Sequence, residues 1–252
     1  MRQGSSTGGG PGSLATGVRA KISGFVLAGG RSLRLGQDKA LLPWPSEGNG
    51  QTMLQHAIAR LQSVCATVSI CADRDDLPGA EIVIPDAMPG SGPLGGIVAA
   101  LEHATTDWNF ILAVDLPLLP IEALQALAAR AYSARGNDGP SRSSSFGAIA
   151  CILPEVGGLP QPLCGLYRRA LAPGLRRALE GGKFKVMAAL GDAVRNPASG
   201  PELQPASPAL RIELWDAASF AAAMKPSPDP TEWFLNINTL EDWRKTQRLR
   251  FQ

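Results

Sequence analysis

Histidine is scarce in this 252-residue chain, which contains only His56 and His103. Neither has a neighbouring acid or cysteine arranged as a catalytic triad. The cysteines show no CxxC pair and no spacing typical of zinc ligands. The sequence therefore gives no support to histidine-centred catalysis or zinc hydrolysis, and we expect the thiols to be reduced and structural. The four cysteines are Cys65, Cys71, Cys151 and Cys164.

A large excess of one charge is also missing, since 24 Lys and Arg against 22 Asp and Glu give a net charge of +2. This balance argues against a nucleic-acid-binding protein. No run of 18 apolar residues exists, which argues against a membrane span. Residues 1–20 are rich in Gly, Ser and Thr and lack an apolar signal-peptide core, so we expect a flexible tail. By elimination we expect a cytoplasmic protein with one folded domain over residues 21–252.

With 44% hydrophobic residues, the chain has enough apolar material for an ordinary core. Patterns of strand and helix alternate through its first half. Strands are predicted at Ile22–Leu27, Val68–Ala72, Glu81–Ile84 and Trp108–Val114, and helices from Thr52, through Ile97 to Ala104, and from Pro120. In the less regular second half, strands are predicted at Phe146–Leu153, Leu163–Tyr167, Arg211–Trp215 and Phe234–Asn238, and helices at 170–180, 183–190 and 216–224. A loop is predicted at 133–145. The final helix is predicted to begin with a capping box of Thr239 and Asp242.

This alternation predicts an α/β fold with three layers, in which helices cover both faces of a mostly parallel sheet. Ligands of such sheets bind in the crevice outside the carboxyl ends of the strands. Several residues at or just after the ends of predicted strands should therefore meet at that edge. They are Ala28, Gly29, Gly30, Asp86, Asp115, Asn236 and Asn238.

The segment from Leu27 to Lys39 is the most informative stretch of the chain. Gly29 and Gly30 allow backbone N–H groups to approach a phosphate or a base edge. Arg34 and Lys39 add two cations, and an arginine suits phosphate oxygens. The GxxxxGK[ST] pattern of a P-loop is absent, so a nucleotide would be held differently. A tight turn with solvated charges is the alternative interpretation.

Asp115 closes an apolar strand, where a carboxylate is well placed to hold Mg²⁺ against a triphosphate. Its alternative role is to cap the helix that follows. Asn238 or Asn236 could complete a metal or acceptor site, since alternate residues of a strand face the same side. For these two asparagines the alternative is ordinary turn chemistry.

The residues LAGGRSLRLGQDKALL, from Leu27 to Leu42, resemble the LAGGxSxRMGxDK signature of the molybdenum cofactor guanylyltransferases. That family belongs to the nucleotidyltransferases with a GT-A-like, Rossmann-like fold. Further segments resemble the family in the same order and extend the resemblance over about residues 22–245. They are Ile84–Asp86, Gly92–Gly96, Val114–Pro117 and Phe234–Thr239.

The resemblance implies that GMP is transferred from GTP to the terminal phosphate of molybdopterin, with Mg²⁺ and release of pyrophosphate. It implies Lys39, Arg34 and Asp115 as catalytic residues, Asp115 and Asn238 as metal ligands, and Asn236 and Asn238 as acceptor contacts. The implied GTP-binding residues are Leu27, Ala28, Gly29, Gly30, Lys39, Cys71, Asp86, Gly92, Pro93, Leu94 and Asp115. A segment with Pro162, Tyr167 and Arg168 resembles one near the acceptor side. Other cofactor-biosynthesis proteins and apo-molybdoenzymes are the further partners implied.

Three features keep other interpretations open. Residues 90–95 match the GxGxxG pattern of dinucleotide-binding folds, but Pro93 lacks an N–H for a pyrophosphate. Cys71 and Asp73 stand where family members often have Asn-x-Asn, which puts one nucleotide contact in doubt. Ala28-Gly29-Gly30 resembles the guanylyl rather than the cytidylyl enzymes, yet a cytidylyltransferase, a sugar-1-phosphate nucleotidyltransferase and a non-catalytic molybdopterin carrier remain alternatives.

Overall fold

The computed structural model describes residues 21–29, 38–44, 50–74, 76–77, 82–135, 148–197, 210–225 and 228–250. The predicted tail at 1–20, Gly30 and Arg34 lie outside these ranges. No helix in these ranges has the length and apolar character needed to cross a bilayer.

Eight strands are present in the described residues. They are β1 (Ile22–Leu27), β2 (Thr67–Cys71), β3 (Val83–Ile84), β4 (Trp108–Ala113), β5 (Ala148–Val156), β6 (Leu159–Pro160), β7 (Cys164–Arg168) and β8 (Leu210–Asp216). The α-helices are α1 (Met53–Gln62), α2 (Pro93–His103), α3 (Ile121–Arg135), α4 (Ala172–Glu180), α5 (Val186–Arg195), α6 (Ala217–Ala222), α7 (Pro230–Trp233) and α8 (Leu240–Arg250). Short 3-10 helices lie at Lys39–Leu41 and Arg169–Leu171.

All the strands join one mixed sheet, in the order β3-β2-β1-β4-β7-β5, with β6 and β8 both paired to β5. The pairs β3–β2, β2–β1, β1–β4 and β5–β8 are parallel. Strand β7 runs antiparallel to both of its neighbours, β4 and β5. The carboxyl ends of β1, β2, β3 and β4 therefore meet at one edge of the sheet, and the start of β7 arrives at the same edge.

Helices cover both faces of the sheet, and each layer has its own core. Along β1, Val26 packs into the core beneath α1 and α3, whereas its neighbour Phe25 packs into the core beneath α2, α4 and α5. This alternation follows from the two-residue repeat of a strand. The predicted three-layer α/β fold is confirmed.

Two helix starts also agree with the sequence. Thr52 and Gln55 form a reciprocal capping box at the start of α1. At the start of α8, Thr239 Oγ1 accepts the N–H of Asp242, and Asp242 Oδ2 accepts the N–H of Thr239. Each box satisfies backbone donors that a helix cannot pair internally.

The predicted strand at Phe234–Asn238 is wrong. The structure has the short helix α7 up to Trp233, and then an irregular segment. Phe234 and Ile237 are buried but lie three residues apart, whereas the faces of a strand alternate every two residues. In the described residues, one backbone hydrogen bond joins this segment to the residues after β4, from Ile237 N to Asp115 O at 3.3 Å, and a single bond makes no ladder.

The helix that begins after Pro120 is longer than predicted. It continues to Arg135, through residues assigned to the loop at 133–145. Ala131 and Ala134 are both buried, so the helix keeps an apolar face to its last turn. Alanine also has the highest helix propensity, which outweighs the polar appearance of the neighbouring residues.

Gly165, in β7, has no room for a side chain. A Cβ at this position would lie 2.8 Å from Ile152 O and 2.7 Å from Leu153 Cδ2. We expect Gly165→Ala to lower the free energy of unfolding by about 1–3 kcal/mol, because backbone must move to accommodate the methyl group. Urea unfolding followed by circular dichroism measures this change.

Gly191, within α5, is the matched control. A Cβ there meets only the flexible end of Arg195, at 3.2 Å. Gly191→Ala should therefore be neutral or should stabilise the protein by up to about 1 kcal/mol through helix propensity. Equal destabilisation by the two variants would contradict the proposed clash in β7.

Candidate active site

A cleft of about 610 Å³ opens at the carboxyl edge of the strands. We call it the edge cleft. Nine of the residues predicted to bind a nucleotide line it: Leu27, Ala28, Gly29, Lys39, Cys71, Asp86, Gly92, Pro93 and Asp115. The prediction that strand-end residues gather at one edge is therefore met by the ends of β1, β2, β3 and β4.

One wall of the edge cleft contains glycines packed around Asp86. A Cβ at Gly29 would lie 3.5 Å from Asp86 Oδ2, and one at Gly96 would lie 3.2 Å from Asp86 Oδ1. The backbone of Asp86 is fixed from the next strand end, since its N–H donates to Asp73 Oδ1 at 2.9 Å. Side chains at the two glycines would crowd the carboxylate, so their absence leaves Asp86 accessible from the cleft.

The electrostatics of this wall favour protonated groups. Burial, with a smaller contribution from the charge of Asp73, raises the pKa of Asp86 to about 6. Burial, followed by the charge of Asp86, raises the pKa of the Cys71 thiol to about 12. Cys71 is therefore a neutral thiol at physiological pH, while Asp86 changes its charge just below it.

The opposite side of the edge cleft brings together three segments that are far apart in sequence. Lys39 Nζ donates to Asp115 Oδ2 at 3.2 Å and to Asn238 Oδ1 at 2.7 Å. The side chains of Lys39 and Asp115 are only 16% and 18% exposed. The second carboxylate oxygen, Asp115 Oδ1, is buried and has no hydrogen-bond partner in the described part of the chain.

The position of Lys39 is fixed by its neighbours. It begins the 3-10 helix Lys39–Leu41, which Asp38 caps by accepting the N–H of Ala40 at 2.9 Å. Asp38 also forms an ion pair with Arg74, from the loop after β2. Arg74 in turn holds Asp76 through two hydrogen bonds, at 2.5 and 2.8 Å. These contacts link the segments on either side of the cleft mouth.

A family model described as a MobA-like NTP transferase domain matches residues 24–194, which is more than half of the chain. The chain belongs to this family. The resemblance found in the sequence is therefore confirmed.

Relatives of this MobA-like transferase agree with that assignment. The chain is 32% identical over 236 residues to a probable molybdenum cofactor guanylyltransferase of Chloroflexus aggregans, with 91% of this chain and 95% of the relative covered. It is 34% identical over 219 residues to one of Mycobacterium tuberculosis, with 81% and 94% covered. A solved structure of molybdopterin-guanine dinucleotide biosynthesis protein A from Archaeoglobus fulgidus has a TM-score of 0.63 at 21% identity, with 90% of this chain and 97% of that chain covered. At that identity the structure supports the shared fold alone.

Some predicted site residues lie elsewhere in this MobA-like transferase. Leu94 is fully buried in the core beneath α2 and does not line the edge cleft, because it faces the sheet from the first turn of that helix. Asn236 is exposed and makes no side-chain hydrogen bond to any described residue. Asn238 touches Lys39, although the segment is not a strand. Asp115 caps no helix, since α3 begins six residues later.

In the segment expected near the acceptor, Tyr167 and Arg168 do not line the edge cleft. Tyr167 is fully buried and donates a hydrogen bond to Pro162 O. Arg168 lies over the ring of Trp108, at the start of β4, and hence at the edge of the sheet opposite Asp115. The reason is the antiparallel direction of β7, whose first residues, not its last, reach the edge cleft.

Other lining residues were not among the predicted nucleotide contacts, although Asp73 stands at a family Asn-x-Asn position. They are Asp38, Ala40, Asp73, Arg74, Gly90, Gly96, Ala113, Val114 and Leu163. The strand-end rule would have found Asp73 and Arg74, which follow β2 directly. Leu163 gave no signal, because an apolar residue at a strand end cannot be distinguished from core by pattern alone.

The raised pKa of Asp86 makes the stability of this MobA-like transferase depend on pH. Because the folded-state pKa lies above the unfolded value, the carboxylate form is disfavoured by folding, and this penalty grows as pH rises from about 4 to about 6. We expect Asp86→Asn to raise the melting temperature above pH 6 and to change it little near pH 4. Thermal unfolding in buffers from pH 4 to pH 8 measures the difference.

Asp73→Asn is the companion variant. It removes the neighbouring charge but keeps an oxygen that can accept the N–H of Asp86, so the pKa of Asp86 should fall. A difference between Asp86→Asn and the unmodified protein that is the same at pH 4 and pH 8 would contradict this account.

Proposed function

We propose that this MobA-like transferase transfers GMP from GTP to the terminal phosphate of molybdopterin, giving the guanine dinucleotide cofactor and pyrophosphate. The observation that carries the proposal is the meeting of Lys39 and Asp115 at the carboxyl edge of the sheet, across the cleft from the glycine wall. Relatives named as probable molybdenum cofactor guanylyltransferases match nearly their whole length and support the substrate pair.

The transfer needs no general base. A phosphate monoester has a second pKa of about 6, so it is already anionic near neutral pH. Its oxygen attacks the α-phosphorus of GTP, the new P–O bond forms, and the bond between the α- and β-phosphates breaks with pyrophosphate as the leaving group. Catalysis then consists of positioning and charge stabilisation, for which Lys39 supplies a cation at the reacting phosphates.

Nucleotidyl transfer generally uses a divalent cation, and we propose Mg²⁺ here. The residues fit, because Asp115 Oδ1 is buried with no partner in the described chain and the Lys39 ammonium already neutralises Oδ2. Asp115 would hold the ion with Asn238, and phosphate oxygens and water would complete its oxygen ligands. When bound, the ion would neutralise charge on the triphosphate.

Asp86 is the residue that we propose to favour guanine over cytosine. Guanine presents two adjacent donors, N1–H and the 2-amino group, and a carboxylate can accept both. Cytosine offers a single amino donor on its pairing edge. The missing side chains at Gly29 and Gly96 leave Asp86 open to such an edge. Gly30, a predicted nucleotide contact, and Arg34, a predicted catalytic residue, lie outside the described residues and stay predictions.

A non-catalytic carrier of molybdopterin is the alternative from another class. A carrier needs no nucleotide site, so the contact between Lys39 and Asp115 in the edge cleft supports the enzyme over the carrier. Delivery to apo-molybdoenzymes, contact with other cofactor-biosynthesis proteins and a cytoplasmic location remain part of the proposal.

Pyrophosphate release tests the proposal. The protein is incubated with Mg²⁺ and molybdopterin, and separately with glucose 1-phosphate, together with GTP or CTP. We expect release with GTP and molybdopterin. Release with CTP alone would assign the cytidylyl reaction, release only with the sugar phosphate would assign a sugar nucleotidyltransferase, and no release with any pair would favour the carrier.

Lys39→Ala and Asp115→Ala each remove one partner of the Lys39–Asp115 contact. We expect either variant to lower kcat by on the order of 10²–10³, as for the loss of one preorganised charge-stabilising group. The fold should survive in both variants, because both side chains line the edge cleft and neither belongs to a hydrophobic core. Steady-state kinetics of pyrophosphate release measures the effect.

Lys183→Ala is the matched control. Lys183 pairs with Asp192 on the surface and does not line the edge cleft. Its removal should leave kcat unchanged. Near-normal turnover of Lys39→Ala or Asp115→Ala would contradict the role given to that residue.

A further inference from the structure

Two side chains of α1 contact a backbone carbonyl in the turn that follows β4. Pro117, two residues after Asp115, is buried. Arg60 Nη1 donates a hydrogen bond to Pro117 O at 2.9 Å, and His56 Nε2 lies 3.1 Å from the same oxygen. A buried carbonyl ahead of a helix needs such donors, since no ladder satisfies it.

Burial of the Arg60 side chain at this position is energetically unfavourable. Its Nε and Nη2 atoms are buried without a hydrogen-bond partner in the described residues. Burial lowers the pKa of the Arg60 guanidinium to about 10, against smaller opposing effects of Cys164 and Glu122. The group still carries its charge at neutral pH, and a buried charge without an ion-pair partner destabilises a fold. Stability alone therefore does not explain why an arginine occupies this position.

The same helix also holds the segment that bears Lys39. Met53 N, the first residue of α1, donates to Leu42 O at 2.9 Å. Just before the helix, Gln51 O accepts the N–H of Trp44 at 2.7 Å. The ring of Trp44 lies 5.5 Å from the ring of His56, measured between centroids.

Helix α1 is thus in contact with both sides of the Lys39–Asp115 pair. Its first turn is bonded to the chain that follows Lys39, and its second and third turns are bonded to the turn that follows Asp115. A helix is a rigid spacer with a rise of about 1.5 Å per residue. The separation of the two functional side chains therefore depends on where Pro117 O is held along α1.

We propose that Arg60, assisted by His56, is a positioning residue that sets the place of Asp115 relative to Lys39 through the carbonyl of Pro117. The inference rests on the proposed function, because it gives these two residues their catalytic roles. A misplacement of about 1 Å at a reacting centre can cost about 10²-fold in rate, so a remote anchor of this kind has a measurable effect.

Arg60→Met removes the Nη1 donor to Pro117 O and the charge while keeping much of the apolar stem. We expect kcat to fall by about 10- to 100-fold while KM for GTP changes by less than about threefold, because binding groups remain and only Asp115 shifts. Affinity for Mn²⁺ alone, measured by electron paramagnetic resonance without nucleotide, should weaken several-fold. Arg60→Lys keeps one charged donor and should recover part of both losses.

Arg130→Met is the matched control. Arg130 forms a part-buried ion pair with Glu213, away from the edge cleft. This variant should lower the melting temperature without changing kcat or Mn²⁺ affinity. If Arg60→Met likewise lowers the melting temperature but leaves kcat and Mn²⁺ affinity unchanged, the role of Arg60 is structural and the positioning role is overturned.

Two milder variants keep the inference testable if Arg60→Met does not fold. His56→Phe retains a ring against Trp44 but loses the ring nitrogen that lies 3.1 Å from Pro117 O. Arg60→Lys retains the charge. Normal kcat and normal Mn²⁺ affinity in both would overturn the proposal. The failures are distinguishable: absence of pyrophosphate release by the unmodified protein contradicts the proposed function, while the Mn²⁺ measurements still test the positioning of Asp115.

Discussion

The contact between the Lys39 ammonium and the Asp115 carboxylate is the constraint to which the rest of the site is fitted. The two residues are 76 positions apart in the chain, and Asn238, which shares the ammonium, is a further 123 positions on. Each comes from a different structural context: a 3-10 helix, a strand end and an irregular segment. Opposite charges that are mostly shielded from water attract more strongly than exposed ones, so small displacements matter at this point.

The sheet makes this meeting possible through its strand directions. Four neighbouring parallel strands, in the order β3-β2-β1-β4, deliver Gly29, Cys71, Asp86 and Asp115 to one edge. The reversed strand β7 closes the same edge with its first residues instead of its last. The cleft is therefore lined by the ends of parallel strands on one side and the start of an antiparallel strand on the other.

The sequence was informative where burial pattern and chemistry coincide. Asp115 ends a continuous apolar run, and Gly29 follows another, so their shared edge could be predicted from strand direction. The segment with Asn238 was predicted as a strand, but a short, largely apolar stretch does not reveal whether a partner strand is present. Arg168 was misplaced because pattern does not give strand direction, and the contact of Arg60 with Pro117 O joins positions that no local pattern relates.

Cys71 has a consequence for chemical probing of the edge cleft. A thiol whose pKa is about 12 carries almost no thiolate near neutral pH, and only the thiolate reacts readily with electrophiles. Alkylating reagents and peroxide should therefore react poorly with Cys71, although this residue lines the edge cleft. A compound designed to react covalently with Cys71 would first have to lower the pKa of this thiol, either by moving the Asp86 carboxylate away from it or by exposing the thiol to water.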